Sequence, residues 1–233
     1  MGAKSLLKLI EDQNNFIYDF YLMQGRNITK RMYQSMKKKE LEMILQKIPS
    51  YQKPRAELEQ YTTPANIAAD ILYNAYMQGD ILDKVIGDFG CGTGVFSIGA
   101  KLLGAKRVVG IDIDADGVEI ARDFSKKLNL DVEYFVRNIG EVGDNFDVIF
   151  QNPPFGAQRR HADRVFLKKA INVASVVYTI HQLNTEDFIT KLINDLGGKI
   201  AFKKRYIFPI KHMFEFHKKE KVDIEVMLFR IEK

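Results

Sequence analysis

An α/β fold is expected, built on a doubly wound sheet of seven strands, mostly parallel with an antiparallel C-terminal strand, and preceded by an N-terminal helical extension. Three features predict it. Short apolar runs at 84–90, 107–113, 132–138, 146–152 and 175–182 read as strands, and helical stretches such as GVFSIGAKLLG and DGVEIARDFSKKLN separate the first three. That alternation indicates parallel strands covered by helices on both faces. Two long runs, 199–210 and 222–233, close the chain with only KHMFEFHKKEK between them. Without a crossover helix they are expected to pair antiparallel.

Taken in order, residues 5–25 have apolar residues at helical spacing and end at Gly25, a C-cap. Residues 29–48 read as a second helix stopped by Pro49, and SYQKPRAELEQYTTP is a connector. Residues 64–79 read as a helix with Thr63 as N-cap, Pro64 at its first position and Gly79 beyond its end. Two further helices, ADRVFLKKAINVA and TEDFITKLINDLGG, flank the fifth strand.

The composition, 46% hydrophobic and 28% charged over 233 residues, is that of a soluble globular chain. The single cysteine excludes an internal disulfide and cannot alone supply a zinc site, so no metal centre is expected. A reducing, cytoplasmic setting follows. No apolar run is long enough for a membrane span, and the N-terminus matches neither a signal peptide nor a myristoylation pattern. Charge is uneven: residues 199–221 hold eight Lys or Arg against two Glu, and residues 1–57 hold eleven against six acids. Two basic ends around an acidic middle suit a polyanionic partner, although a charge cluster alone reads first as solvated surface.

DFGCGTG lies where the first strand meets its helix. Gly90, Gly92 and Gly94 allow a tight turn and close approach of a ligand to the backbone. Asp112 ends the next strand, where a carboxylate can accept from ribose hydroxyls. The dinucleotide pattern G-x-G-x-x-G fails, because Val95 stands where its third glycine belongs, and the Walker Lys-Ser/Thr pair is absent. Asp88 before G-x-G-x-G, with Asp112 after it, resembles the S-adenosylmethionine site of class I methyltransferases. Cys91, inside the loop, reads as a small buried residue rather than a nucleophile.

The fourth strand runs into QNPPFG, residues 151–156. Prolines donate no ladder hydrogen bond, so the strand ends there. In a doubly wound sheet the carboxyl ends of the strands face one crevice. An exocyclic amine on a nucleobase has its lone pair delocalised into the ring, and hydrogen bonds to its N–H groups help that pair localise. The Asn152 side chain and the Pro153 carbonyl can accept those bonds, Pro154 stiffens the backbone, and Phe155 offers a face for an extruded base. The stretch resembles the (D/N/S)-P-P-(Y/F/W) signature of methyltransferases acting on planar nitrogens.

A wider likeness covers roughly residues 37–233. Its segments are KKKELEMILQKI, YQKPRAELEQYTTPANIAADILY, DFGCGTGVFSIGA, VVGIDID, NPPFG, VFLKKAI and FEFHKKEKVDIEVMLFRI. Together they resemble the small-subunit ribosomal RNA adenine-N6 methyltransferases of eukaryotes and their archaeal relatives. The resemblance implies a class I methyltransferase domain over 57–233, with 1–56 as the helical extension and 1–36 outside the likeness, where Met36 is an alternative functional start. It implies that Gln60 and Thr63 close over S-adenosylmethionine, with Gly90, Thr93, Val95 and Asp112 around it and Asn138 and Ile139 at its adenine. Asn138 stands where relatives often carry Asp. A small zinc-binding activator docking on an exposed edge strand is a further implied partner. RNA phosphates are expected at Lys203, Lys204, Arg205, Lys211, Lys218, Lys219 and Lys221, with Phe216 and His217 near the mouth of the crevice. Guanine-N2 RNA methylation, glutamine-N5 protein methylation and a non-catalytic RNA-binding role stay open as alternatives. Phe155 argues against the glutamine reading, which favours Tyr. The intact loop, Asp112 and Asn152 argue against a silent protein.

Overall fold

A computed structural model describes residues 36–52, 54–55, 59–155, 162–211 and 221–233. The chain divides into two units, Met1–Ser35 and Met36–Lys233, and every described residue belongs to the second. The helix expected over residues 5–25 therefore lies outside the described residues. The boundary drawn at residue 57 falls inside the second unit.

Helix α1 (Lys38–Leu45) buries Leu41 and Leu45 and packs against α2 (Ala65–Met77) and α3 (Val95–Leu102). It ends short of the expected Ile48. Lys47 and Ile48 donate to the carbonyls of Ile44 and Leu45, a tightening of the last turn ahead of Pro49. The start of α2 also differs from expectation. Pro64 itself is the N-cap, at φ −55° and ψ 137°, and its carbonyl accepts from Ile67 and Ala68. Thr63 lies outside the helix, so its hydroxyl is not spent on capping.

Seven strands follow: β1 (Val85–Phe89), β2 (Arg107–Asp112), β3 (Glu133–Val136), β4 (Phe146–Gln151), β5 (Ala174–Gln182), β6 (Lys199–Lys211) and β7 (Lys221–Glu232). They form one sheet in the order β3-β2-β1-β4-β5-β7-β6, and β7 runs antiparallel to both its neighbours. Helix α4 (Ala115–Lys127) crosses from β2 to β3, α5 (Ala162–Val173) from β4 to β5, and α6 (Glu186–Asp195) from β5 to β6. Phe89, Ile111, Ile149, Val177 and Phe229 share one apolar core with Leu167 and Ile171 of α5 and Ile189 of α6. On the opposite face Phe96 of α3 stacks on Phe150, which stacks on Tyr178.

Register positions the functional end of the sheet. Phe89 pairs with Ile111 on one side and with Gln151 on the other. Gly90, Asp112 and Asn152 therefore leave their strands at the same level, along one edge. Deeper in the sheet, Arg230 of β7 pairs with Asp80, and the Tyr178 hydroxyl donates to the same carboxylate at 2.6 Å. That buried network ties the α2–β1 connection to β5 and β7.

Candidate active site

The chain turns out of β1 through Gly90, Gly92 and Gly94, at φ 69°, 51° and 87°. A side chain is poorly accommodated in that region of backbone space. Space forbids one as well: a Cβ on Gly92 would lie 2.6 Å from the Tyr51 hydroxyl, and one on Gly94 would lie 2.8 Å from the Ala121 Cβ. The Asp112 carboxylate receives N–H groups from Gly92 at 2.8 Å and Asp114 at 2.9 Å. Burial pushes its carboxyl up to about 6, partly offset by the Gly92 and Ile113 N–H groups and by Arg55. Above the loop lies a cavity of about 430 Å3, lined by Tyr51, Thr93, Val95 and Phe96 on the loop side and by Asn138, Ile139, Asn152 and Pro154 across it.

Asn152 is held from an unexpected direction. Its Nδ2 donates to the Thr63 hydroxyl at 3.1 Å. Its Oδ1 is buried and has no hydrogen-bond partner among the described residues. The Phe155 N–H donates to Glu59 Oε2 at 2.7 Å. Behind the corner, Gln151 Nε2 donates to the Thr179 hydroxyl, which is hydrogen-bonded to His181 Nε2. Burial lowers the imidazole of His181 to about 3, which keeps it neutral at ordinary pH.

Nine of the eleven residues assigned to the cofactor line the cavity: Gln60, Thr63, Gly90, Gly92, Thr93, Val95, Asp112, Asn138 and Ile139. Asp88 and Gly94 do not. Strand alternation turns Asp88 toward α3, where its Oδ2 accepts from the Ser97 N–H at 2.8 Å and hydroxyl at 2.6 Å. Gly94 is the left-handed cap that starts α3. Gln60 lines the wall, yet both ends of its amide are engaged, Nε2 with Asp114 and Oε1 with the Arg55 N–H. Asn138 spends its oxygen on the Gly140 N–H. Of the acceptor corner, Asn152 and Pro154 line the cavity, while Pro153 and the half-buried Phe155 stand beside it. Tyr51, Glu59, Arg137 and Phe166 also line it and were not anticipated. LEQYTTP was the one signal that pointed toward this wall.

The basic cluster is divided. Lys203, Lys204 and Arg205 alternate along β6, so they cannot share one face. Each also has an acidic partner: Glu186 for Lys203, Asp70 for Lys204 and Glu225 for Arg205. Phe216, His217, Lys218 and Lys219 lie outside the described residues, as do the side chains of Lys211 and Lys221.

The residues present fit S-adenosylmethionine. The cavity has the size of an ordinary small-molecule site. Asp112 stands where a ribose diol can donate to it, and Thr93 Oγ1 is buried with no partner among the described residues. The positive-φ glycines leave the wall bare of side chains.

Comparison with known proteins matches these features. A family model, ribosomal protein L11 methyltransferase (PrmA), matches residues 62–153. That span runs from the Thr62–Thr63 wall to the first proline of the corner. The protein MJ0284 of Methanocaldococcus jannaschii is 47% identical over 210 residues, 85% of this chain and 95% of that protein. The rRNA N6-adenosine-methyltransferase METTL5 of Danio rerio is 37% identical over 203 residues, 84% of this chain and 98% of that protein. The crystal structure of PH1948 from Pyrococcus horikoshii superposes with a TM-score of 0.80 at 38% identity, covering 85% of this chain and 98% of that one.

Proposed function

The chain belongs to the rRNA N6-adenosine-methyltransferase family, S-adenosylmethionine-dependent enzymes of the class I fold. On that premise we propose that Asn152 accepts a hydrogen bond from the target N6 amine of an adenosine in ribosomal RNA. The observation that carries this reading is the Asn152 Oδ1, buried without a partner among the described residues in the cavity that Asp112 also lines. A buried acceptor left unpaired costs about 1–3 kcal/mol, so it is retained where a ligand satisfies it.

S-adenosylmethionine supplies an electrophilic methyl group on a sulfonium. The chain's own residues position the acceptor. Asn152 Oδ1 and the Pro153 carbonyl would accept hydrogen bonds from the amine N–H groups, which helps the nitrogen lone pair localise off the ring. Phe155, on the same corner, stacks on the extruded base. Asp112 would hold the cofactor ribose, with Ile139 beside its adenine. The PrmA match ends at Pro153, so likeness to a protein-methylating family covers the cofactor half, whereas likeness to the RNA enzymes spans more than four-fifths of the chain.

An activator of the zinc-binding kind would add to the β3 edge, where Phe135 and Val136 are 40% and 50% exposed. The cytoplasmic setting suits a ribosomal RNA substrate. No helix among the described residues is long and apolar enough to cross a membrane.

Transfer of labelled methyl from S-adenosylmethionine to deproteinised ribosomal RNA, followed by nucleoside identification, tests the reading. N6-methyladenosine is expected. N2-methylguanosine, or label found only in protein, would contradict it.

A further inference from the structure

The wall segment 59–63 is bonded to both halves of the crevice. Toward the cofactor, Gln60 Nε2 donates to the buried Asp114 at 2.6 Å, and the Asp114 N–H donates in turn to Asp112. Toward the acceptor corner, the Thr63 hydroxyl accepts from Asn152, and Glu59 accepts from the Phe155 N–H. Glu59 sits at φ 49°, a conformation few residues other than glycine adopt. The Tyr61 N–H bond to its carbonyl and the Phe155 bond to its carboxylate hold it there.

We propose that Thr63 is a positioning residue for methyl transfer, orienting the Asn152 amide, with Glu59 fixing the adjoining main chain. This rests on Asn152 being the acceptor of the target amine. A primary amide has two ends of opposite polarity and nearly equal shape. Turned over, Asn152 would present its NH2 to the amine, donor against donor. In this structure the Thr63 hydroxyl accepts one Nδ2 hydrogen, and Oδ1 is the end left without a protein partner among the described residues. Thr63 is remote from Asn152 in sequence, 89 residues away, and the helix cap that would have absorbed its hydroxyl is supplied by Pro64.

The resemblance assigns Thr63 to the cofactor, and the two roles predict different losses. A cofactor contact would lower affinity, whereas an orienting contact lowers rate. Three quantities are compared in the wild type, Thr63→Val and Thr63→Ser: single-turnover methylation of ribosomal RNA, S-adenosylmethionine affinity by calorimetry, and the ¹⁵N side-chain amide spectrum. Thr63→Val is expected to slow transfer by about tenfold or more, with affinity changed by less than about twofold, since one hydrogen bond is lost away from the cofactor. Thr63→Ser, which keeps the acceptor, should recover to within about threefold of wild type. The Asn152 NH2 resonances, identified by their disappearance in Asn152→Ala, should move in Thr63→Val and stay in Thr63→Ser. Wild-type turnover in Thr63→Val, or a loss explained wholly by weaker cofactor binding, overturns the proposal. If the wild type transfers no methyl to adenosine, the acceptor role of Asn152 has failed. The spectrum then still decides whether Thr63 holds the amide: Asn152 resonances unmoved in Thr63→Val overturn that contact, and with it the proposal.

Discussion

Two residues stand at the ends of the crevice: Asp112, proposed for the cofactor ribose, and Asn152, proposed for the target amine. Asp112 already receives two backbone N–H groups, and each oxygen keeps a lone pair for a ribose hydroxyl. Asp112→Ala is expected to weaken S-adenosylmethionine binding by about 1–3 kcal/mol, the scale of a lost charge-assisted hydrogen bond. Calorimetry with unchanged affinity would remove Asp112 from that role. Its place was legible in the sequence because a strand end, a glycine loop and an acid at fixed spacing form a local pattern. Glu59 and Tyr51 are not legible. Each reaches the site through a partner distant in sequence, as in the bond from Phe155 to Glu59, 96 residues apart, and no local periodicity records such a contact.

At the scale of elements, Asp88 joins β1 to α3 and does not line the cavity. The strand pattern alone does not reveal which face of β1 meets α3, so the acid beside the loop reads as a ligand. Burial pushes its carboxyl up to about 7, the Ser97 hydrogen bonds opposing this. An unfolded aspartate titrates near ~3.9, so the folded chain keeps a proton that the unfolded chain releases between these values. The stability this group contributes is full below that range and is lost as pH rises through about 7. Asp88→Asn keeps an acceptor oxygen for Ser97 and never ionises. Its melting temperature, relative to wild type in the cofactor-free protein, should therefore rise progressively from about pH 4 to about pH 7 and level off above that. A difference independent of pH would contradict the assignment. The cap of α2 carries a similar lesson. TTP reads as N-cap and first turn, but the frame moves by one residue, and that shift frees Thr63 for Asn152.

Across the whole molecule, the seven-stranded, mostly parallel sheet and its antiparallel C-terminal strand are readable from helix-separated apolar runs and a short final connection. The substrate surface was less so. Charge counting grouped Lys203, Lys204 and Arg205, whereas the pleat of β6 separates them and Glu186, Asp70 and Glu225 neutralise them. Lys218→Ala with Lys219→Ala is accordingly expected to make the salt dependence of RNA binding shallower by roughly one to two units. Lys204→Ala should leave that slope unchanged and lower stability instead, since it uncovers Asp70 between α2 and β6. Equal slopes for all three proteins would leave 218–219 as plain surface. The central proposal is that β4 ends where a planar amine is held. The most direct measurement is single-turnover methylation of ribosomal RNA by Asn152→Ala, alongside its melting temperature and cofactor affinity. A folded enzyme that binds S-adenosylmethionine normally but transfers methyl on the order of 10²-fold more slowly is the expected result, by analogy with removal of one preorganised hydrogen-bond group. Near-normal turnover by the same folded, cofactor-competent variant would reduce QNPPFG to a rigid strand end with no part in the chemistry.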